Sequence, residues 1–151
     1  MPEGSHEEEQ AERIRVLVVD DHPLVRQGLE HLINQSTDLV TCGLAADADE
    51  ALAMVEAACP NVAVVDLSLA GGSGLDLIGE LGKKWPELPI LVLSMLDETV
   101  YAERALRAGA RGYIMKGEEI DEVLDAIRRV TAGKRYLSPR LRPQLASLAS
   151  A

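Results

Sequence analysis

Val62-Ala63-Val64-Val65-Asp66-Leu67-Ser68 is a short apolar run that ends in one carboxylate. Three of its first four residues are β-branched and no polar residue alternates with them, which fits a strand buried on both faces. Asp66 then falls where the strand leaves the sheet. Parallel α/β sheets place their chemistry at such strand ends. Taken alone, Asp66 reads equally well as a residue that caps the turn, so its role depends on what else the chain brings to that edge.

Outward from this stretch, the same pattern recurs. Ile14 to Val19 is apolar apart from Arg15 and stops at Asp20-Asp21. His22-Pro23 starts a helix, capped by Asp21 or His22, with Val25, Gly28, Leu29 and Leu32 on one face. Residues 39–44 make a weaker strand of mixed polarity, suited to a sheet edge. A helix follows from about Asp47, with Ala48, Ala51, Leu52 and Val55 inward, and Pro60-Asn61 closes it. After Asp66, Ala70-Gly71-Gly72-Ser73-Gly74 reads as a flexible loop, and Leu75, Ile78 and Leu81 mark a helix that ends before Trp85-Pro86.

Ile90 to Leu93 is a further buried strand, ending in Ser94. Asp97 caps the next helix, whose inward face (Val100, Ala105, Leu106) is thin and predicts loose packing and a mobile element. Ala108-Gly109-Ala110-Arg111-Gly112 turns into a last strand, Tyr113 to Met115, that stops at Lys116. Ile120, Val123, Leu124, Ile127 and Val130 give the clearest amphipathic helix. Five strands alternating with five helices require a doubly wound parallel α/β sheet with right-handed crossovers. Asp20, Asp21, Asp66, Ser94 and Lys116 then meet at one edge.

The 151 residues, 47% of them hydrophobic, suit one domain with tails. Net charge is −10, which disfavours direct binding of nucleic acid. Half of that charge comes from Glu3, Glu7, Glu8, Glu9 and Glu12, so residues 1–13 read as an acidic disordered tail. No acid follows Asp125, whereas Arg128, Arg129, Lys134, Arg135, Arg140 and Arg142 do, and residues 132–151 read as a solvated linker or tail outside a core of 14–131. No signal peptide or membrane-spanning run is legible, which points to the cytoplasm. Cys42 and Cys59 lack metal-site spacing, and both fit small buried side chains.

Three carboxylates at one site repel one another unless a cation is present. Oxygen ligands completed by water suit Mg²⁺ or Mn²⁺ better than zinc. With such an ion on Asp20 and Asp21, Asp66 can act as a nucleophile toward a phosphoryl group, with Lys116 and the Ser94 hydroxyl on its equatorial oxygens. Singly, each residue has a plainer reading: Ser94 as a turn former, Lys116 as a surface charge, Tyr113 as an amphipathic ring at a sheet edge.

In this order and spacing, Asp20-Asp21, Asp66, Ser94, Tyr113 and Lys116 resemble the receiver domain of two-component response regulators. The resemblance covers about 14–131 and implies a flavodoxin-like sheet in the order 2-1-3-4-5. It implies that Asp66 accepts phosphoryl from a histidine kinase and that Asp21, Asp66 and the Ser68 backbone carbonyl ligate Mg²⁺, Asp20 mainly through water. Ser94 and Tyr113 would be a switch pair. Val-Asp-Asp-His-Pro-Leu-Val-Arg-Gln-Gly-Leu (19–29) and Gly-Tyr-Ile-Met-Lys (112–116) are similar to the NarL/FixJ (LuxR-type) subgroup, and residues 133–139 to the start of its interdomain linker. That implies a helix-turn-helix output domain outside this chain, DNA contact only through it, dimerisation on activation, no membrane association and no enzymatic turnover beyond slow self-dephosphorylation.

Three positions depart from the common pattern. Gly117 follows Lys116 where many receivers have proline, and a trans bond or a glycine-specific backbone is expected, since a cis bond there without proline costs about 2.5–4 kcal/mol. Met95 replaces a small residue and would narrow the mouth of the site. Leu96 and Ser68 lack a carboxylate or amide to orient a hydrolytic water, which implies slow dephosphorylation. Rival readings remain: a phosphorylation-independent receiver that only binds partners, a haloacid-dehalogenase-like phosphatase, disfavoured because its Asp-x-Asp motif is absent, and a flavodoxin-like flavin carrier, disfavoured because carboxylates stand where a phosphate cradle is needed. His22 and His31 read as a helix-start residue and a solvated side chain.

Overall fold

The computed structural model of the chain describes residues 13–69 and 72–143. An interior strand of its sheet is β1 (Ile14–Val19), whose last four residues are buried. It pairs in parallel with β2 (Leu39–Ala45) on one side and β3 (Val62–Val65) on the other. β4 (Ile90–Ser94) follows beyond β3, and β5 (Gly112–Met115) lies at the far edge. The order β2-β1-β3-β4-β5 is the doubly wound arrangement expected. Helices α1 (Pro23–Gln35), α2 (Ala48–Ala58), α3 (Gly74–Lys84), α4 (Glu98–Ala108) and α5 (Ile120–Thr131) supply the crossovers.

Alternation along buried strands divides the core into two layers. Val16, Val18, Val62 and Val64 join Leu29 and Ile33 of α1 and Val123, Ile127 and Val130 of α5. Leu17, Val19, Ala63 and Val65 join the inner faces of α2, α3 and α4. Because β1 is flanked by β2 and β3, the chain leaves in opposite directions on its two sides, and the carboxyl ends of β1 and β3 open a crevice.

Several local expectations change. In α1 the buried positions are Leu29 and Ile33, while Gly28 faces solvent. In α4 Val100 is 53% exposed, and Ala102 and Ala105 form the buried face. Cys59 is exposed rather than buried, because it terminates α2 in a left-handed conformation (φ 49) that turns its side chain off the helix's inner face. Cys42 is half-buried and falls where the β1–β2 register slips by one residue, a bulge on the edge strand. Of the expected loop 70–74, Gly72-Ser73 pairs antiparallel with Ser68-Leu69, Ser73 caps α3, and Gly74 begins that helix. Ala70 and Gly71, the acidic segment 1–12 and residues 144–151 lie outside the described residues.

The largest correction concerns the segment after α5, expected to be solvated. Tyr136, Leu137 and Leu141 are 7%, 5% and 1% exposed. Tyr136 bridges Gly112 in parallel, its N–H donates to Arg111 O (3.0 Å), and its carbonyl accepts the Tyr113 N–H (3.1 Å). β5 would otherwise present unpaired backbone groups as an edge strand, and this segment satisfies them. Tyr136 enters the α1/α5 layer and Leu137 the opposite one, the alternation of an added strand.

Candidate functional site

β1 and β3 end side by side. The Asp66 N–H donates to Val19 O at 3.0 Å, which holds the end of β3 against the last residue of β1 and brings Asp66 beside Asp20. Both carboxylates belong to residues only 2% exposed. The Lys116 ammonium, arriving from the end of β5, donates to Asp20 Oδ2 at 2.8 Å and to Asp66 Oδ2 at 2.9 Å. The Ser68 N–H donates to Asp66 Oδ1 at 3.2 Å. Burial disfavours the ammonium, but the bonds and charges of Asp20 and Asp66 outweigh it and hold the Lys116 pKa above its ordinary value. The lysine is an internal counter-ion, not a surface charge. No cis peptide bond occurs among the described residues, and Gly117 takes φ +102, the glycine-specific backbone expected after Lys116.

His22 caps α1 without a side-chain capping bond. Its Nδ1 instead lies 2.9 Å from Asp20 Oδ1, 3.1 Å from Asp21 Oδ1 and 3.9 Å from Asp66 Oδ2. One ligand atom from each of Asp20, Asp21, His22 and Asp66 falls within 4.8 Å of the others. Sequence reasoning placed His22 only at the helix start. Its adjacency to the aspartate pair was the available signal, but the direction of its ring depends on the tertiary crevice. Asp21 Oδ1 is buried without a hydrogen-bond partner. A buried anionic oxygen so placed, converging with two other carboxylates, fits a hard divalent cation. This acidic cluster is of the kind that holds a metal ion.

Ser94 is fully buried. Its Oγ accepts the Leu96 N–H at 3.1 Å and its carbonyl accepts the Lys116 N–H at 2.8 Å. Tyr113 is also fully buried, and its hydroxyl donates to Leu96 O at 2.6 Å. The ring therefore lies inward, and Leu96 is held through both its backbone groups by Ser94 and Tyr113. Met95, next to Ser94, is 74% exposed.

Burial raises the Tyr113 pKa to about 12, and burial together with the bond to Glu122 raises that of Tyr136 to about 12. An unfolded phenol loses its proton near 10. The folded state therefore keeps more protons between those values, so stability is unaffected below pH 10 and falls from there to about pH 12. While the chain stays folded, phenolate absorbance from these two tyrosines should appear near pH 12, about two units above a free phenol. Tyr113→Phe should flatten the decline, and titration of both rings near pH 10 in a still-folded chain would contradict it.

Residues 16–128 match the family model described as the response regulator receiver domain. The chain is 36% identical over 133 residues to the response regulator GacA of Pseudomonas aeruginosa, covering 88% of this chain and 62% of GacA. It is 35% identical over 133 residues to the oxygen regulatory protein NreC of Staphylococcus haemolyticus, covering 87% of this chain and 61% of NreC. The chain thus spans less than two thirds of these relatives. A LuxR-family two-component response regulator from Aurantimonas sp. SI85-9A1 superimposes with a TM-score of 0.82 at 32% identity, over 92% of this chain and 99% of that one. The strand-end carboxylates, the serine and the lysine lie in the matched span, and the chain belongs to the response regulator receiver domain family.

Proposed function

We propose that this chain is a phosphorylation-controlled switch in which Asp66 accepts a phosphoryl group from the phosphohistidine of a sensor kinase. The observation that carries the reading is a carboxylate 2% exposed at the end of β3, paired with Lys116 and flanked by two further aspartates, in a receiver-family chain. A carboxylate oxygen of Asp66 bonds to phosphorus, the N–P bond breaks, and the histidine nitrogen keeps that electron pair. Lys116 is positioned to follow charge onto the phosphoryl oxygens, and the Ser94 hydroxyl can donate to one of them.

Asp20, Asp21, Asp66 and the Ser68 carbonyl are the groups that would hold Mg²⁺, with Mn²⁺ as a substitute. Bound there, the ion supplies positive charge against the three carboxylates and the incoming phosphoryl oxygens. The chain acts as a switch with self-phosphorylation and slow self-dephosphorylation, not as a turnover enzyme. Likeness to GacA, NreC and a LuxR-family regulator supports a helix-turn-helix output domain beyond this receiver, transcriptional control through it, and dimerisation on activation. No helix among the described residues is long and apolar enough to cross a membrane, and the reading is of a cytoplasmic protein working with a cognate kinase.

Titration with beryllofluoride plus Mg²⁺ tests the site, with chemical shifts expected at Ser94, Tyr113 and Lys116. Absence of binding would remove the switch reading in favour of a binding-only receiver. Turnover of a phosphomonoester would favour a phosphatase. Slow dephosphorylation is tested separately: Leu96→Glu should shorten the acyl-phosphate lifetime at least about tenfold, short of the 10²–10⁴ available to an optimally placed base. A wild-type lifetime as short as the variant's would contradict it.

A further inference from the structure

Among the polar contacts of the segment that docks beyond α5, besides its sheet pairing, two come from Arg140 and Tyr136. Arg140 donates to Glu98 Oε1 at 3.0 Å, and the Tyr136 hydroxyl donates to Glu122 Oε2 at 3.1 Å. Glu98 is the first residue of α4 and its side chain is only 10% exposed. Ser138 N-terminal to Leu141 and Arg142 closes a turn that presents Arg140, with Ser138 O accepting both their N–H groups. Leu137 and Leu141 share a hydrophobic cluster with Ala102 and Ala105, the small residues of α4, and with Tyr113. The groove beside them is lined by Glu98, Glu118, Glu119 and Glu122, so a basic segment is complementary to it. One segment therefore joins the start of α4, the edge of β5 and α5.

The Arg140 contact on Glu98 lies two residues from Leu96, the group most exposed to events at Asp66. Leu96 N–H is held by Ser94 Oγ, and Leu96 O by the Tyr113 hydroxyl, while the Tyr113 backbone N–H is held by Tyr136 O. If Ser94 turns its side chain toward a phosphoryl group on Asp66, the Leu96 N–H loses its acceptor. The chain from Leu96 to Glu98 is then released at one end. The ion pair between Glu98 and Arg140 opposes such a shift.

We propose that residues 136–142 are a strap that latches α4 to the β5 edge through Arg140–Glu98 and Tyr136, and that phosphoryl capture at Asp66 loosens it. The strap thereby passes the state of the site to whatever chain follows. This rests on the reading of Asp66 as acceptor. Coupling is reciprocal: if phosphoryl capture weakens the strap, weakening the strap must strengthen capture by the same factor. Gly112 shows how closely the segment fits, since a Cβ there would lie 2.9 Å from Tyr136 O and 3.0 Å from Leu91 Cδ1.

The test uses the 151-residue chain, with beryllofluoride and Mg²⁺ as probe. Amide hydrogen exchange at Tyr136 and Tyr113 should accelerate at least about tenfold when the probe binds wild type. Arg140→Ala should show faster Tyr136 exchange without probe and bind the probe about fivefold tighter, the lower end of typical allosteric coupling. The exchanged pair Glu98→Arg with Arg140→Glu should return both values toward wild type, which a merely unfolded variant would not do. Probe binding that shifts Ser94 and Lys116 while Tyr136 exchange stays constant, with Arg140→Ala binding as wild type, overturns the strap and leaves the acceptor reading intact. Failure of the probe to bind wild type overturns the acceptor reading and the strap's trigger together.

Discussion

Asp66→Asn should abolish labelling by radiolabelled acetyl phosphate and by kinase phosphohistidine, to background, while leaving the chain folded. The amide keeps the shape of the carboxylate and an oxygen for the Ser68 N–H, so the turn after β3 survives. It lacks the anionic nucleophile needed to form an acyl phosphate. The charge-assisted bond from Lys116 is lost, at roughly 1.5–3 kcal/mol, but removing one of three crowded carboxylates offsets part of that. Urea unfolding should therefore move by less than about 2 kcal/mol. Equal labelling of variant and wild type would transfer the acceptor role elsewhere, with Asp20 and Asp21 the nearest candidates.

Lys116→Met should be the most destabilising substitution in the site. The ammonium bridges two carboxylates whose side chains are only 3% and 2% exposed. Without it both lose their lysine counter-charge while still buried, Asp20 keeping its contacts with His22 and Asp66 keeping the Ser68 N–H. Breaking a buried pair by removing one partner costs about 3–5 kcal/mol. Urea denaturation at neutral pH without divalent ions should show a loss of this size. The loss should shrink in acid, where the carboxylates can take up protons, and Mg²⁺ should stabilise the variant more than the wild type because its own competitor for the carboxylates is gone. In wild type the sign is fixed by the raised lysine pKa: the contribution is fully present below the unfolded value of 10.5 and disappears as pH rises through the higher folded value. An unchanged urea midpoint in the variant would show that Lys116 is screened by solvent despite its 11% exposure.

The carboxylate edge was legible because strand ends are marked in sequence. An apolar run must stop where the sheet stops, and in a parallel sheet all such ends fall on one side. Asp20, Asp21, Asp66, Ser94 and Lys116 were found this way, whereas the strand order came from the resemblance to receiver domains. His22 was missed as a member of the cluster because helix-start chemistry explained it locally. Its ring lies closest to Asp20 and Asp21, next to it in sequence, and also reaches Asp66, 44 positions away, so only the folded crevice shows that it joins the three carboxylates.

The segment 132–143 shows the reverse limit. Its charge, its prolines and its position after an amphipathic helix all describe a solvated linker, and those properties are real: Lys134, Arg135 and Arg140 are exposed. Tyr136, Leu137 and Leu141 are too few to form a recognisable element by periodicity. They become core because the edge of β5 has unmet hydrogen bonds and because the alanine face of α4 leaves room beside Tyr113. Gly112 permits the approach.

By itself, then, the sequence determined which strands are buried, that they run parallel and which polar groups meet at their ends, since those follow from periodicity and handedness within single elements and their connections. The strand order followed from the resemblance to receiver domains. Only the tertiary structure decided where His22 points, that Lys116 bridges two particular carboxylates, and that a basic tail completes the sheet. Each of these depends on the space and unmet polar groups left by elements distant in the chain, and no local pattern encodes either quantity.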